Sequence, residues 1–406
     1  MKNIIIILAI TALLAAGCTN SEKPSNYFGG ANRHNYYPNK EFLKYSTKEF
    51  FVNKTSDYNV GFAYPVLLLQ RNLAVGVLNN NKIVFYLKYQ PVNEVKLPKD
   101  VYVASRIAAD KNDNIYAVMS NGTINSYSQI GTKLWSYELE NASEILAYTD
   151  VLCTDENIYF GTDKGELYKL SQTGKKIWKF KSTLSIGKII SADKDENIAV
   201  ILNSGSFDGA DSIVILNKDG KKLWERGFTN QKITGSVLIG EACFYCGTYS
   251  LDGTVEKGNI YKFDKAGKTI WNKEITVRPR WLSLDGDKTI FISGYNTGVA
   301  ETFSGVFAIS DMGDLKWKMY FKSTIHSPVL VSDGNAVVCS LSQSGTALFI
   351  LNKSTGHVEK TVSLNDYTPL FLYPSVTEDN SIVLTGSSKS TLLRLSDEFM
   401  KKFNIF

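Results

Sequence analysis

The sequence predicts an all-β fold built from repeated units, and three observations indicate it. Five tryptophans recur at intervals of 43, 46, 47 and 46 residues, each four residues after a glycine. Between them lie short runs rich in β-branched and aromatic residues, separated by turn residues. No long segment with helical periodicity interrupts this pattern. A period of about 40–50 residues is typical of repeat architectures. The repeated tryptophans are Trp135, Trp178, Trp224, Trp271 and Trp317.

One period encodes four short strands. Residues 145–152 form an apolar run, and 158–161, 166–170 and 176–180 are further strand-like runs separated by turns at 162–165 and 171–174. Four antiparallel strands per unit are the content of one propeller blade. The sequence therefore predicts an eight-bladed β-propeller, with seven blades as the alternative. The units are 61–98, 101–140, 144–182, 185–228, 231–275, 278–321, 324–364 and 367–406.

The units at both ends keep the period without the tryptophan. Lys360 stands 43 residues after Trp317, and Phe403 stands another 43 residues on. Before Trp135, the run NEVKLP around Val95 fills the same place. The segment Lys48–Asn53 has the pattern of one more final strand. We expect it to pair with the last blade and close the ring, because an open array would expose its strand edges.

The N-terminus has the pattern of a secretory signal. Ile4–Ala16 is a mostly apolar run of 13 residues after a basic start, too short to cross about 30 Å of hydrocarbon. The ending Leu-Ala-Ala-Gly-Cys resembles the bacterial lipobox, which implies lipidation of Cys18; the alternative is an ordinary cleaved signal. We expect residues 1–17 to be a lipoprotein signal peptide, 18–27 a flexible tether and 28–406 the propeller with its closing strand.

Composition excludes one class of partner and argues against a cysteine site. The net charge is +5 with both signs interspersed, so no basic stripe indicates nucleic-acid binding. Cys243 and Cys246 lie three apart in a strand-like run, where alternate side chains point to opposite faces. We therefore expect Cys153, Cys243, Cys246 and Cys339 to be small buried thiols, with a disulfide between strands as the alternative in an oxidising compartment.

The repeat resembles the PQQ-like β-propeller repeat family. The features that carry this resemblance are the string G-K-x-[IL]-W, the preceding strand in Leu167–Leu170 and Ile260–Phe263, and the pairs Tyr64-Pro65, Ser327-Pro328 and Tyr373-Pro374. The opening segment Phe28–Pro38 also looks like the entry segment of such propellers. A lipoprotein of eight such blades is similar to the propeller lipoproteins of the outer-membrane β-barrel assembly machinery. That resemblance implies a scaffold that helps deliver unfolded barrel proteins to the insertase.

Quinoprotein dehydrogenases share this repeat and stack a tryptophan on their cofactor. Five tryptophans at one repeat position cannot all stack on one cofactor, so we expect each to pack between neighbouring blades, where burial of an aromatic contributes about 2–3 kcal/mol. The chain also has no pair of adjacent cysteines. We therefore expect no catalytic residue and no cofactor.

Acidic turns and histidines are the remaining candidates for chemistry. Asp110–Asn114, Asp193–Asn197 and Asp285–Asp287 have alternating oxygen ligands like a calcium loop, but lack its Glu at position 12 and its central Gly. Asp and Asn favour tight turns through their own hydrogen bonds, so we expect turn chemistry and no metal. His34, His326 and His357 lie far apart and are expected to be structural or surface residues.

The uneven spacing of the units points to a binding surface. The hairpin between the second and third strands is short at 120–123 and 162–165, but long at 203–211, 249–258 and 295–305. These hairpins share a face with the links between blades, and one link carries Arg278, Arg280 and Trp281. Arg and Trp are enriched at interface hot spots. We expect a partner-binding patch of Arg278, Arg280, Trp281, Phe207, Tyr249 and Tyr295; neutral variation of loop length is the alternative.

The sequence thus favours a non-catalytic, lipid-anchored propeller scaffold, in the cell envelope at the outer membrane and facing the periplasm. The lipid gives it a membrane contact, and the resemblance implies an outer-membrane β-barrel insertase or its substrates as partners. Two alternatives remain, a PQQ-dependent oxidoreductase or its relic, and a surface lipoprotein that binds carbohydrate or another extracellular ligand. Fold alone does not choose among them.

Overall fold

The computed structural model describes most of the chain from residue 45 to residue 397. The described residues are 45–52, 63–64, 66–70, 73–78, 81–87, 90–206, 209–252, 255–296, 303–325, 327–342, 345–364, 374–376, 382–385 and 391–397. The expected signal peptide, Cys18, the tether and the segment around Phe403 lie outside them. Within them, no helix is long and apolar enough to cross a membrane. One short 3-10 turn, Ala142–Glu144, accompanies the strands.

The described strands form eight antiparallel sheets, which confirms the predicted all-β propeller. In chain order the strands are β1 Tyr45–Val52; β2 Leu67–Leu68, β3 Leu73–Leu78, β4 Lys82–Leu87, β5 Gln90–Lys96; β6 Ala108–Ala109, β7 Ile115–Val118, β8 Thr123–Tyr127, β9 Lys133–Glu138; β10 Leu152–Cys153, β11 Asn157–Gly161, β12 Glu166–Ser171, β13 Lys176–Lys181; β14 Ser185–Ile186, β15 Ser191–Ala192, β16 Ile198–Asn203, β17 Asp211–Leu216, β18 Lys222–Phe228; β19 Lys232–Ile239, β20 Cys243–Asp252, β21 Val255–Asp264, β22 Thr269–Ile275; β23 Arg278–Leu284, β24 Ile290–Asn296, β25 Phe303–Ile309, β26 Leu315–Phe321; β27 Thr324–Ile325, β28 Leu330–Val331, β29 Asn335–Ser342, β30 Gly345–Asn352, β31 Val358–Leu364; β32 Ser375–Val376, β33 Ile382–Thr385 and β34 Thr391–Asp397.

Each group between semicolons after β1 is one blade, numbered 1 to 8 in chain order. Blade 8 consists of β32, β33, β34 and the N-terminal strand β1, which pairs antiparallel with β34 from Tyr45 opposite Asp397 to Val52 opposite Thr391. Its outermost strand therefore comes from the N-terminus. This joins the two ends of the described chain in one sheet.

The hydrophobic core lies between blades, in clusters that each join two neighbouring sheets. Val75 and Phe85 of blade 1 pack with Ile115 of blade 2, for example. The same holds around the ring, and Val383 of blade 8 packs against Val66 of blade 1. Side chains alternate across each strand, so both faces of a blade are buried against its neighbours. The strands consequently read as nearly continuous apolar runs, and the ring is closed by apolar contacts.

The five repeat tryptophans stand on the outermost strands and contact the next blade. Each indole Nε1–H donates to a carbonyl of that blade's last turn, at 2.7–3.0 Å; the acceptors are Gln172, Lys218, Lys265, Asp311 and Lys353. The glycine of the same turn has a positive φ and lies against the indole ring, as Gly220 does against Trp178. In blade 1, Asn93 of the run NEVKLP takes this place and donates to the carbonyl of Ile130.

The strand order defines two faces of the propeller. The link face carries the links between blades and the hairpins between second and third strands. The turn face carries the turns between first and second strands and those between third and fourth strands. The expected long loop at 249–258 is mostly regular structure, because β20 and β21 pair up to Asp252 opposite Val255. The extra residues of blade 5 therefore lengthen two strands rather than a loop.

Candidate functional site: an arginine cluster on the link face

Arg278 begins the first strand of blade 6 and binds the long hairpin of blade 5. Its guanidinium carbon lies 3.8 Å from the ring centroid of Tyr249, and Nη1 lies 3.7 Å from Oε1 of Glu256. Tyr249 and Glu256 are both buried. A guanidinium stacks well on an aromatic face. Arg278 therefore stacks on the ring of Tyr249 and also lies beside the carboxylate of Glu256. Arg278 therefore fixes the hairpin of blade 5 against blade 6.

The close approach of the two blades depends on a glycine. A Cβ placed on Gly258 would lie 1.9 Å from the carbonyl oxygen of Val277. Only glycine leaves room there for the link that enters β23. The hydroxyl of Thr234 also donates to the carbonyl of Pro279. The start of β23 is thus held by blade 5 on both sides of Arg278.

Arg280 and Trp281 follow at a bulge in the same strand. The register with β24 passes from Pro279 to Trp281, so Arg280 is the extra residue. Its guanidinium carbon lies 5.3 Å from the ring of Tyr295, and both Arg280 and Trp281 are half-buried. A bulge changes the direction of a side chain relative to the regular alternation of a strand. Arg278 lies over Tyr249, and Arg280, at the bulge, lies over Tyr295.

The hairpin of blade 4 is tied to the same region through Lys232. The ammonium of Lys232 lies 2.7 Å from the hydroxyl of Ser204 and 3.0 Å from Oδ1 of Asp211, a buried carboxylate. It also donates to the carbonyl of Gly209 at 3.1 Å. Lys232 opens blade 5, so blades 4, 5 and 6 are connected in sequence on the link face. Phe207 lies outside the described residues.

Beyond Tyr249 the hairpin of blade 5 extends past its own sheet. Pairing of β20 with β19 ends at Tyr249, and pairing of β21 with β22 begins at Gly258. Three further rungs, from Ser250 opposite Lys257 to Asp252 opposite Val255, join β20 and β21 alone. At about 3.4 Å per residue they extend about 10 Å beyond the points where pairing with β19 and β22 stops. The structure therefore brings Tyr249, Arg278, Arg280, Trp281 and Tyr295 together beside a projecting hairpin.

The cysteines, the acidic turns and His357 are placed elsewhere. All four cysteines in the described residues are buried thiols outside any disulfide, and Cys243 and Cys246 belong to different inter-blade clusters. In the turn that follows β6, Oδ1 of Asp110 accepts from the backbone N–H of Asn112 and of Asn114, at 2.8 and 2.9 Å. His357 is exposed on the turn face, while His34 and His326 lie outside the described residues.

Sequence reasoning missed two polar clusters between blades on the turn face. In the first, Glu196 of blade 4 accepts from four side chains of blade 3. Asn157 Nδ2 lies 2.9 Å from each carboxylate oxygen, Tyr159 Oη 3.0 Å and Lys169 Nζ 2.7 Å from Oε2, and the hydroxyl of Thr154 also donates. Burial opposes ionisation, but these hydrogen bonds outweigh it and hold the pKa of Glu196 below its usual range.

The second cluster lies between blades 5 and 6. Lys262 Nζ lies 2.6 Å and Tyr245 Oη 2.9 Å from Oδ1 of Asp311. Burial again opposes ionisation, and the hydrogen bonds from Lys262 and Tyr245 lower the pKa of Asp311. The sequence did contain a signal for these two clusters. The strings Leu167–Leu170 and Ile260–Phe263 share a lysine, Lys169 or Lys262, but these strings were interpreted only as markers of the repeat.

A buried ion pair stands where the inner strands of blades 2 and 3 begin. Arg106 Nη1 lies 3.0 Å from Oδ2 of Asp150, and both side chains are almost fully buried. The hydroxyl of Tyr64 donates to the carbonyl of Val103 at 3.3 Å. Burial, reinforced by the charge of Asp150, raises the pKa of Tyr64 to about 12. These groups join blades 1 to 3 at the inner end of the link face. The sequence did not predict this ion pair, because Arg106 and Asp150 belong to no recognisable motif.

Comparison with known proteins adds family information to this geometry. Residues 120–298 match a family model described as outer membrane protein assembly factor BamB. Curated protein sequences give no match.

Solved structures resemble the fold at low sequence identity. The chain is similar to BamB from Moraxella catarrhalis, with TM-score 0.61, 13% identity, and coverage of 86% of this chain and 98% of that one. It is also similar to Sqt1 from Saccharomyces cerevisiae, with TM-score 0.59, 11% identity, and coverage of 89% and 99%. The Dos1 propeller gives TM-score 0.58, 11% identity, and coverage of 86% and 95%. At these identities the likeness shows the propeller fold alone. The predicted resemblance to the PQQ-like β-propeller repeat is confirmed by the family match over residues 120–298 and by the propeller fold of the described chain.

Proposed function

We propose that this protein is a non-catalytic, lipid-anchored propeller scaffold that binds protein partners in the assembly of outer-membrane proteins. The observation that carries the proposal is the arginine cluster beside the projecting hairpin of blade 5. The family match over residues 120–298 supports the assembly role, since its description names an outer membrane protein assembly factor. The partner would be an outer-membrane β-barrel insertase or its substrates.

The link face has the physical properties of a protein-binding surface. Arg278, Arg280 and Trp281 are half-buried, so each keeps part of its surface for a partner while its position is fixed by neighbours. Arginine and tryptophan in fixed positions are typical of interface hot spots, because little side-chain entropy is lost on binding. The projecting hairpin adds backbone edges that an extended strand of a partner could join by β-augmentation.

The repeat tryptophans favour a scaffold over a quinoprotein. Each of the five donates its indole N–H to the next blade and covers a glycine there. Each ring therefore joins two neighbouring blades at their outer strands. The five rings lie at five different interfaces, so they cannot share one cofactor. We expect PQQ with calcium to leave the melting temperature unchanged, whereas a rise would support the oxidoreductase alternative, because a ligand that binds only the native state stabilises it.

The decisive experiment is a crosslinked pull-down from native envelopes with the tagged full-length protein. Arg280→Glu and Trp281→Ala are expected to weaken capture of a barrel-assembly protein while the melting temperature stays near that of the wild type. Lys188→Glu is the matched control, since Lys188 is exposed at the corresponding point of blade 4 and undergoes the same charge change. Equal capture by all three variants would contradict the proposed interface.

Anchoring is tested separately at the N-terminus. We propose residues 1–17 as the signal peptide, Cys18 as the lipidated residue, 18–27 as the tether and 28–406 as the propeller. One acyl chain gives only marginal membrane binding, so stable anchoring needs more than one. Cys18→Ser should abolish labelling by a palmitate analogue and release the protein from outer-membrane fractions. Retained labelling in that variant would refute lipidation at this residue.

A further inference from the structure

The link between blades 2 and 3 covers part of the link face. It spans residues 139–147, up to the bridge between Tyr148 and Thr162, whereas the links on either side of blade 5 span only 229–231 and 276–277. It packs directly on the hairpin of blade 2, since a Cβ on Gly122 would lie 2.0 Å from the Cβ of Ala142. The extra length of this link therefore lies over blade 2 and stays in contact with it. We call residues 139–147 the blade 2–3 ledge.

One leucine of the ledge is exposed yet fixed in position. Leu146 is 84% exposed, while Ile145 before it and Tyr148 after it are buried. The N–H of Leu146 donates to both carboxylate oxygens of Asp163 in blade 3, at 3.2 and 3.3 Å. The N–H of Asp163 donates in turn to the carbonyl of Ala147 at 3.0 Å. The backbone around Leu146 is thereby held, so little conformational entropy is lost when its side chain binds a partner.

A half-exposed tyrosine of the preceding link belongs to the same surface. Tyr102 is 47% exposed, and its N–H and carbonyl are bonded to the hydroxyl and the N–H of Ser120, at 3.1 and 2.8 Å. Burial, reinforced by the charges of Asp163 and Tyr102, raises the pKa of Tyr148 to about 12, so these three groups lie within electrostatic reach of one another. Tyr102 also lines a cleft of about 480 Å³ together with Leu97. Tyr148 and Asp163 thus connect the exposed surface of Tyr102 to the ledge.

The ledge region is negatively charged. Residues 138–148 and the adjoining hairpin 162–165 of blade 3 contain four acids and one lysine, Lys164. The acids are Glu138, Glu140, Glu144 and Asp163. Lys176 of the outermost strand of blade 3 lies 3.7 Å from Glu140 in an exposed pair. Neither Glu144 nor Asp163 forms an ion pair with another described residue. This charge repels an anionic lipid surface or a nucleic acid and attracts a cation.

We propose that the blade 2–3 ledge, with Tyr102 and Asp163, is a second protein-binding surface for a partner segment in which a lysine or arginine adjoins a large apolar side chain. The apolar side chain packs on Leu146 and Tyr102, and the cation is bound by Glu144 and Asp163. Exposed apolar groups rimmed by polar residues are typical of protein–protein interaction sites. The arginine cluster at blades 5 and 6 has the opposite charge, so the two surfaces select different partner segments. The ledge is independent of the arginine cluster and of the assembly role.

Site-specific photocrosslinking of the full-length protein in native envelopes tests the surface. The photoreactive residue p-benzoylphenylalanine replaces Leu146, and in a matched control it replaces Met312, which is 78% exposed on the turn face. Position 146 should crosslink to another protein, and mass spectrometry of the crosslinked peptide should find a large apolar residue beside a lysine or arginine. A yield no higher than that from position 312 would overturn the proposal. Crosslinks only to acidic or uncharged segments, or only to a second copy of this chain, would also overturn it.

Two charge reversals test the cation of the partner. Glu144→Lys is expected to lower the crosslink yield from position 146 about fivefold, because it replaces an attraction by a repulsion. Glu274→Lys is the matched control, since Glu274 is exposed on the outermost strand of blade 5, and it should leave the yield unchanged. Both variants should melt near the wild-type temperature, since both side chains are exposed. Equal crosslink yields from the two variants would refute the acidic site.

Discussion

Replacing Gly220 by alanine should destabilise the protein through the tryptophan contact between blades 3 and 4. Gly220 has φ 77°, a left-handed conformation that costs an alanine about 1–2 kcal/mol. Its new Cβ would lie 2.9 Å from Cδ2 of Trp178. The indole must then shift and weaken its 2.9 Å bond to the carbonyl of Lys218, which contributes about 1 kcal/mol. The expected total is about 2–3 kcal/mol.

Thermal unfolding followed by circular dichroism measures this effect. The entropy of unfolding is about 2.1 cal/mol/K per residue, so for the whole propeller the loss corresponds to a decrease of about 3 °C in melting temperature. Gly227→Ala is the matched control. Gly227 lies in the outermost strand of the same blade, and a Cβ there would have no heavy atom within 4 Å. It should change stability by less than about 0.5 kcal/mol.

A double-mutant cycle separates backbone strain from the contact. In a Trp178→Ala background the ring is absent, so Gly220→Ala should cost only the strain of its positive φ, about 1–2 kcal/mol. An equal cost in both backgrounds would show that the indole is not the reason. Equal melting temperatures for Gly220→Ala and Gly227→Ala would refute the argument entirely.

Three further predictions concern pH, thiols and the hairpin. Because the folded-state pKa of Glu196 lies below its unfolded value of about 4.3, its ionisation stabilises the protein above that pH, and this contribution is lost as the pH falls through the folded value. Glu196→Gln should therefore lower the melting temperature at neutral pH, with a difference that narrows on acidification; a constant difference would contradict this. Burial raises the pKa of Cys339 to about 12 and also raises that of Cys246. A thiol reagent should accordingly label neither in the native protein and both in denaturant, and native labelling would disprove their burial. Arg278→Ala should speed proteolysis within residues 250–257, since it removes the stack on Tyr249, whereas Arg226→Ala, at an exposed position of blade 4, should not. Identical cleavage rates would show that Arg278 does not hold the hairpin.

The features of the fold that depend on the spacing of residues along the chain, the blades and the alternation within strands, were predicted from the sequence. The glycine and tryptophan of each turn recur because every blade needs the same left-handed residue and the same ring against it, as Gly267 with Trp224 shows. Strand alternation likewise placed Cys243 and Cys246 on opposite faces. The hairpin at 249–258 was interpreted as a loop, since its length was visible but its pairing was not.

The sites depended on contacts that chain order does not reveal. Arg278 meets Tyr249 across a boundary between blades, and Glu196 meets Lys169 in the same way. Each partner is more than 25 residues away in the sequence, and each side chain alone is an ordinary surface residue by composition. Only the folded structure shows that Asp311 of blade 6 meets Lys262 of blade 5 in a similar way.

The sequence by itself determined the architecture, because a repeating apolar period of strands can bury its faces only by stacking each unit on the next. It predicted eight units, with seven as the alternative, and it indicated which blades differ in length. The tertiary structure alone decided what those differences do. It turned the extra residues of blade 5 into longer strands whose hairpin Arg278 holds, and it placed the carboxylates of Glu196 and Asp311 against the tyrosine–lysine pair of the preceding blade. The physical reason is that burial follows from local pattern, whereas a site requires side chains of separate blades at bonding distance.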